Sequence, residues 1–145
     1  LSQRLLAVYL RDDDPAARIV RICDTYRERR DRMVAALADE MPPGVGFTRP
    51  DGGMFLWLTL PDYMDSVDMV SDAVREKVAY VVGVGFYHDG SGRNCMRLNY
   101  SYPTEEQIVQ GIERLSRIVR GRLPRVKTSR TALASLRWVA KGLQP

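Results

Sequence analysis

Apolar residues recur along the chain at two spacings, one near 3.6 and one of 2, and these mark out helices and strands. Leu5, Leu6 and Tyr9 predict the end of a helix over residues 1–10. Asp12-Asp13-Asp14-Pro15 breaks it and starts the next. Asp14 suits the N-cap, and Pro15 suits the first helical position, where its missing N–H is not needed. Ile19, Ile22, Cys23, Tyr26, Met33 and Leu37 then keep the helical period to about Met41, and Pro42-Pro43-Gly44 stops it. The charged interval Arg27–Arg32 reads as a solvated face with i,i+4 pairs such as Glu28–Arg32. This helix runs well past the ~11–12 residues usual in globular domains, which suits a connection to another unit.

The period of 2 follows. Val45–Thr48 predicts a short strand, Pro50-Asp51-Gly52-Gly53 a tight reversal, and Met54–Leu60 a second strand. Met54, Leu56, Leu58 and Leu60 share one face of it and Phe55, Trp57 and Thr59 the other. Both faces are apolar, so the strand is expected to be central and covered on both sides. Asp65 or Ser66 caps a helix to about Lys77 with Val67, Val70, Ala73 and Val74 as its buried stripe. Val78–Val84 reads as a strand, Gly85–Asn94 as a loop, and Cys95–Ser101 as the last strand. There Met96, Leu98 and Tyr100 face one way, and Cys95, Arg97 and Asn99 the other. Thr104 and Gln107 form a capping box before a helix whose core face is Ile108, Ile112, Leu115 and Val119. Residues 128–141 suit one more amphipathic helix, with Leu133, Leu136 and Ala140 on a side.

Composition narrows the class. With 145 residues, 45% hydrophobic and 28% charged, the chain has the length of one domain and too much apolar content for a disordered polymer. No apolar run approaches the roughly 20 residues of a membrane span, and the acid-bearing opening is unlike a signal peptide. Two cysteines, Cys23 and Cys95, make no disulfide framework, so a reducing cytoplasm is the expected setting. The net charge of +4 is unevenly placed: residues 1–120 hold 16 basic and 18 acidic residues, whereas residues 121–145 hold six basic and no acidic ones. The basic balance belongs to the tail, and neither a nucleic acid nor a membrane is an expected partner of the domain.

Few residues carry chemistry. The single histidine, His88, sits next to Asp89 in a polar loop with no nucleophile placed by spacing, and it reads as a surface residue. Two cysteines 72 positions apart and one histidine give no metal spacing. Gly83-x-Gly85 lacks the rest of a dinucleotide fingerprint. Arg97 stands apart, a guanidinium in mid-strand between Met96 and Leu98. It keeps its charge and needs an anion or several carbonyls, so it either pairs with a carboxylate of the chain or binds a substrate carboxylate in fork geometry.

Five segments in order carry a resemblance: residues Tyr26–Met33, Pro50–Leu58, Gly83-Val84-Gly85-Phe86-Tyr87, Met96-Arg97-Leu98-Asn99-Tyr100-Ser101 and Gly111-Ile112-Glu113-Arg114-Leu115. Together they resemble the C-terminal part of the class I/II aminotransferases, the fold-type I enzymes that use pyridoxal phosphate. The likeness is to the branch with aromatic, branched-chain and 2-aminoadipate aminotransferases, and it covers roughly residues 1–120. It implies an α/β (α+β) small domain, with a short sheet of three or four mostly antiparallel or mixed strands covered by helices. A long interdomain helix would lead into it. Residues 1–13 would be a connector, 14–120 the small domain and 121–145 a basic extension.

The resemblance implies that Arg97 holds the α-carboxylate of an amino acid or 2-oxo acid. Relatives usually carry Pro-Gly where this chain has Val82-Gly83. The lysine that carries the cofactor in the family has no match: Lys77 ends a helix, and Lys127 and Lys141 lie in the tail. The chain, which opens on leucine, is therefore expected to be a fragment that is inactive and binds no pyridoxal phosphate alone. The full-length protein would be a cofactor-dependent homodimer. Two other readings remain: the effector domain of an aminotransferase-like transcription regulator, and an interaction module with a basic tail.

Overall fold

Capping chemistry sets the ends of the two long helices. The structure is a computed structural model that describes residues 1–12 and 14–124, so the helix expected over 128–141 lies outside the described residues. Helix α1 spans Ser2–Asp12 and α2 Pro15–Glu40. Asp14 caps α2, its carboxylate accepting from the Ala16 N–H at 3.0 Å and the Ala17 N–H at 3.2 Å. After strands β1 (Gly46–Phe47) and β2 (Phe55–Thr59) come α3 (Val70–Arg75), β3 (Val81–Val82), a 3-10 turn (Gly83–Phe86), β4 (Cys95–Asn99) and α4 (Glu105–Arg122). The expected capping box is present at α4: the Gln107 N–H donates to Thr104 Oγ1 and the Thr104 N–H to Gln107 Oε1.

The four strands form one antiparallel sheet in the order β1-β2-β4-β3. Leu56 and Leu58 of β2 and Met96 and Leu98 of β4 pack into one core with Met33, Ala36 and Leu37 of α2 and Ile108, Ile112, Leu115 and Val119 of α4. The α4 core face and the burial of Leu56, Leu58 and Leu60 are as the sequence predicts, whereas Met54, expected on the same face, precedes β2 and is exposed. Strand β2 is interior, but the helices cover only one of its faces; Phe55, Trp57 and Thr59 stay half-buried on the other, which side chains such as Arg97, Phe86 and Tyr87 only partly cover.

Three further expectations change. The buried residues of α2 all fall between Met33 and Leu37, and Ile19, Ile22 and Cys23 are exposed, because α4 meets only the last part of α2. The interval Arg27–Arg32 is not merely a solvated face. Arg29 donates to the Ser101 carbonyl and Arg30 to the Asp51 carbonyl at 2.7 Å, so α2 grips the loop after β4 and the hairpin turn. The helix expected from residue 66 begins only at Val70, because Asp65 accepts from the Val67 N–H at 2.8 Å and closes a local turn instead. Ala73 is its buried position and Met69, which caps it, is buried too, while Val67, Val70 and Val74 are exposed.

Strand β3 is also shorter than the apolar run Val78–Val84, since the backbone turns at Gly83. A Cβ on Gly83 would stand 2.4 Å from the Gly92 carbonyl oxygen and 2.6 Å from Cys95 Cβ, so only glycine allows this approach. At the other end of the core, the C-terminal carbonyl of α2 is satisfied by α4. Ser116 Oγ donates to the Glu40 carbonyl at 2.7 Å and Arg120 at 2.6 Å.

Two measurements test this framework. Thr104→Ala removes the acceptor of the α4 capping box and should cost about 1 kcal/mol by chemical denaturation. Asp72 accepts from Arg122, and that bond holds its carboxyl below the usual carboxylate range, tying α3 to α4. A depressed folded-state pKa stabilises the fold above the unfolded value and loses that effect as pH falls through the folded value. Asp72→Asn should therefore melt below the parent chain at neutral pH, with the two Tm values converging below pH ~3.8.

Candidate functional site

Strand alternation decides where Arg97 goes. Met96 and Leu98 are buried under the helices, so Arg97 projects from the other face, opposite Trp57 on β2 and Val81 on β3. Its guanidinium carbon lies 4.0 Å from the centre of the Phe55 ring and 4.8 Å from that of Phe86. The Nε atom is buried and has no hydrogen-bond partner. Among the described residues no carboxylate pairs with Arg97 and no carbonyl accepts from it, so the internal ion pair left open by the sequence finds no partner.

Aromatic side chains take the place of polar partners. Phe86 ends the 3-10 turn that follows β3, and the close passage of Gly83 over Cys95 sets where that turn lies. The Trp57 ring meets Phe86 edge-on, with centroids 5.3 Å apart and planes at 85°, and it lies 6.1 Å from Tyr87. Tyr87 in turn rests on Gly92, whose φ of +74° suits glycine and where a Cβ would come within 2.3 Å of the ring. The Cys95 thiol beside it, when ionised, pushes the Tyr87 hydroxyl pKa up. Phe55, Trp57, Phe86 and Tyr87 thus form an aromatic shelf around one cation. Sequence reasoning placed Phe55 and Trp57 on this face but did not assign the shelf to the site.

The arrangement can do one thing well, which is to receive an anion. Among the described residues the two Nη atoms hold no hydrogen bond, and a cation–π contact with a ring uses none of the N–H donors that a planar carboxylate could take. The shelf is an open surface. A cavity of about 620 Å³ lies on the helix side among Lys77, Leu98 and Gly111, and one of about 370 Å³ lies between α2 and the hairpin turn beside Tyr26 and Gly52; neither includes Arg97. The other candidate residues stay apart. His88 and Asp89 are exposed, Asp89 accepting from the Ser91 N–H at 3.0 Å. Lys77, the only lysine among the described residues, lines the helix-side cavity with Leu98, on the face opposite Arg97. Among the described residues no group of three or more acidic, histidine or cysteine side chains could hold a metal, and no helix is long and apolar enough to cross a membrane.

No family model matches the chain. It is 45% identical over 102 residues to aromatic-amino-acid aminotransferase 1 of Thermococcus litoralis, covering 70% of this chain and 24% of that protein. It is 37% identical over 123 residues to 2-aminoadipate transaminase of Thermus thermophilus, covering 85% of this chain and 31% of that protein. The solved structure of LysN, the α-aminoadipate aminotransferase of Thermus thermophilus complexed with N-(5'-phosphopyridoxyl)-L-leucine, superposes with a TM-score of 0.75 at 37% identity. That match covers 80% of this chain and 30% of the LysN chain. The chain thus spans between a quarter and a third of the length of these relatives. In sequence and in fold it is homologous to a part of the fold-type I aminotransferases that use pyridoxal phosphate.

Proposed function

We propose that this chain is the C-terminal small domain of a pyridoxal-phosphate-dependent aminotransferase, and that Arg97 binds the α-carboxylate of the amino acid and of the 2-oxo acid in turn. The observation that carries this reading is the unpaired guanidinium on an open aromatic shelf. Residues 1–13 would connect to the rest of a longer polypeptide, 14–120 would form the domain, and 121–145 would extend it.

The described residues do not by themselves fit the cofactor. Lys77 lies on the wrong face of the sheet, and no described lysine approaches Arg97. Under this reading the lysine and the phosphate cradle come from another part of the polypeptide. The contribution of this chain is orientation. A carboxylate held by two parallel N–H···O bonds has its plane and direction set, so the substituents on the adjacent carbon are presented in one pose. The full-length protein would be a cytoplasmic homodimer, a setting compatible with the unpaired Cys23 and Cys95. The aminotransferase relatives favour this over the effector domain of a regulator and over a tail-driven interaction module.

Lysine keeps the charge of Arg97 but cannot form the fork. In the full-length enzyme Arg97→Lys should raise KM for both the amino donor and the 2-oxo acid about tenfold or more, the worth of one charge-assisted hydrogen bond. An unchanged KM for both would remove Arg97 from this role. Titrating the 145-residue chain with pyridoxal phosphate should leave the cofactor's absorbance spectrum as it is in buffer. A new band that survives dialysis would show that the chain holds its own cofactor site.

A further inference from the structure

We infer that Phe86 is a positioning residue for Arg97, with Trp57 as its support. The inference rests on Arg97 being the carboxylate-binding group, and it adds what aims that group. An arginine at a binding site is usually oriented by acceptors that take some of its five N–H donors. Among the described residues Arg97 has none: Nε is buried without a partner, and neither Nη atom is hydrogen-bonded. Among the described residues, the rings of Phe55 and Phe86 are what the guanidinium lies over. Phe55 is fixed by its place in β2, paired with Asn99 in the sheet. Phe86 lies outside the sheet, at the end of the 3-10 turn, and is held by two features. One is the edge of Trp57 at 5.3 Å, and the other is the turn itself, placed by the Gly83 contact with Cys95 and Gly92.

This arrangement has a consequence for the fork. A buried Nε cannot meet a ligand oxygen without displacement of the side chains around it, so the edge of Arg97 left for a ligand is the one carried by Nη1 and Nη2. A carboxylate would then bind end-on, in a direction that depends on where Phe86 holds the guanidinium. Phe86 is 49% exposed, so its replacement leaves the core between the sheet and the helices intact.

The test uses the 15N-labelled 145-residue chain and the Arg97 Nε–Hε correlation in NMR spectra, with pyruvate as the carboxylate probe. In the parent chain that signal should be displaced upfield by the rings and exchange slowly with water. In Phe86→Leu it should move toward the position of exposed arginines and exchange fast, and Phe86→Tyr, which keeps the ring, should restore it. The Leu56, Leu58 and Met96 amide signals should stay in place in both variants. Pyruvate should perturb the Arg97 signals with an apparent Kd about two- to fivefold weaker in Phe86→Leu, the worth of one such stacking contact. An Arg97 signal identical in the parent and Phe86→Leu overturns the inference. A ring-dependent signal with no response to pyruvate in any variant supports the hold of Phe86 on Arg97 and removes the carboxylate role instead.

Discussion

Burial of one face of a four-stranded sheet is the constraint on which the rest of this structure depends. Leu56 and Leu58 of β2 and Met96 and Leu98 of β4 fill the space beneath α2 and α4. Each such side chain contributes about 1.5–3 kcal/mol when removed from water. Because the side-chain period of a strand is 2, a slip of one residue would exchange the two faces. It would put Arg97 and Asn99 under the helices and Met96 and Leu98 into solvent. The position of the cation is therefore set by its apolar neighbours rather than by any polar contact of its own.

Much of this was legible in the sequence, and the reasons differ by element. The alternation in β4, the Asp14 cap and the Thr104–Gln107 box are local patterns whose physics acts within a few residues, and all appear in the structure. The role of Arg29 and Arg30 was not legible. Their acceptors, the carbonyls of Ser101 and Asp51, lie 72 and 21 residues away, and a charged run on a helix looks solvated until the fold brings carbonyls to it. The short β3 was hidden for a similar reason. Val78–Val84 is rich in β-branched residues, and only the proximity of Gly83 to Gly92 and Cys95 shows why the strand must end. The aromatic shelf lay between these cases: Phe55 and Trp57 could be placed on one face, but Phe86 and Tyr87 arrive from a loop whose path the sequence does not declare.

Helices α1 and α2 pose a different question. Leu5, Leu6, Leu10, Ile19, Val20 and Ile22 supply the apolar content of a core face, yet all are exposed, and no residue of α1 is buried. Periodicity reports that a face is meant to be apolar; it does not say which surface meets it. The last turns of α2 meet α4; near its start Arg18 lies over the Tyr9 ring of α1, while the apolar side chains Ile19, Val20 and Ile22 stay exposed. Under the proposed reading, this is what a connecting helix should look like when only one of the two units it joins is present.

The absence of an internal partner for Arg97 has a physical logic of its own. Had a described residue supplied a carboxylate, the resulting pair would satisfy the guanidinium and occupy the donors that a substrate would need under the proposed reading. An incoming carboxylate would then have to displace it, and the gain of the new bond would be offset by the loss of the old. Ring faces avoid that competition, because a cation–π contact uses none of the N–H donors. The cost falls on the buried Nε, an unsatisfied donor of the kind that folded proteins rarely keep without a use for it. A strand that buries its leucines, a turn that delivers a phenylalanine and a tryptophan that braces it together make an arginine whose binding capacity is held in reserve.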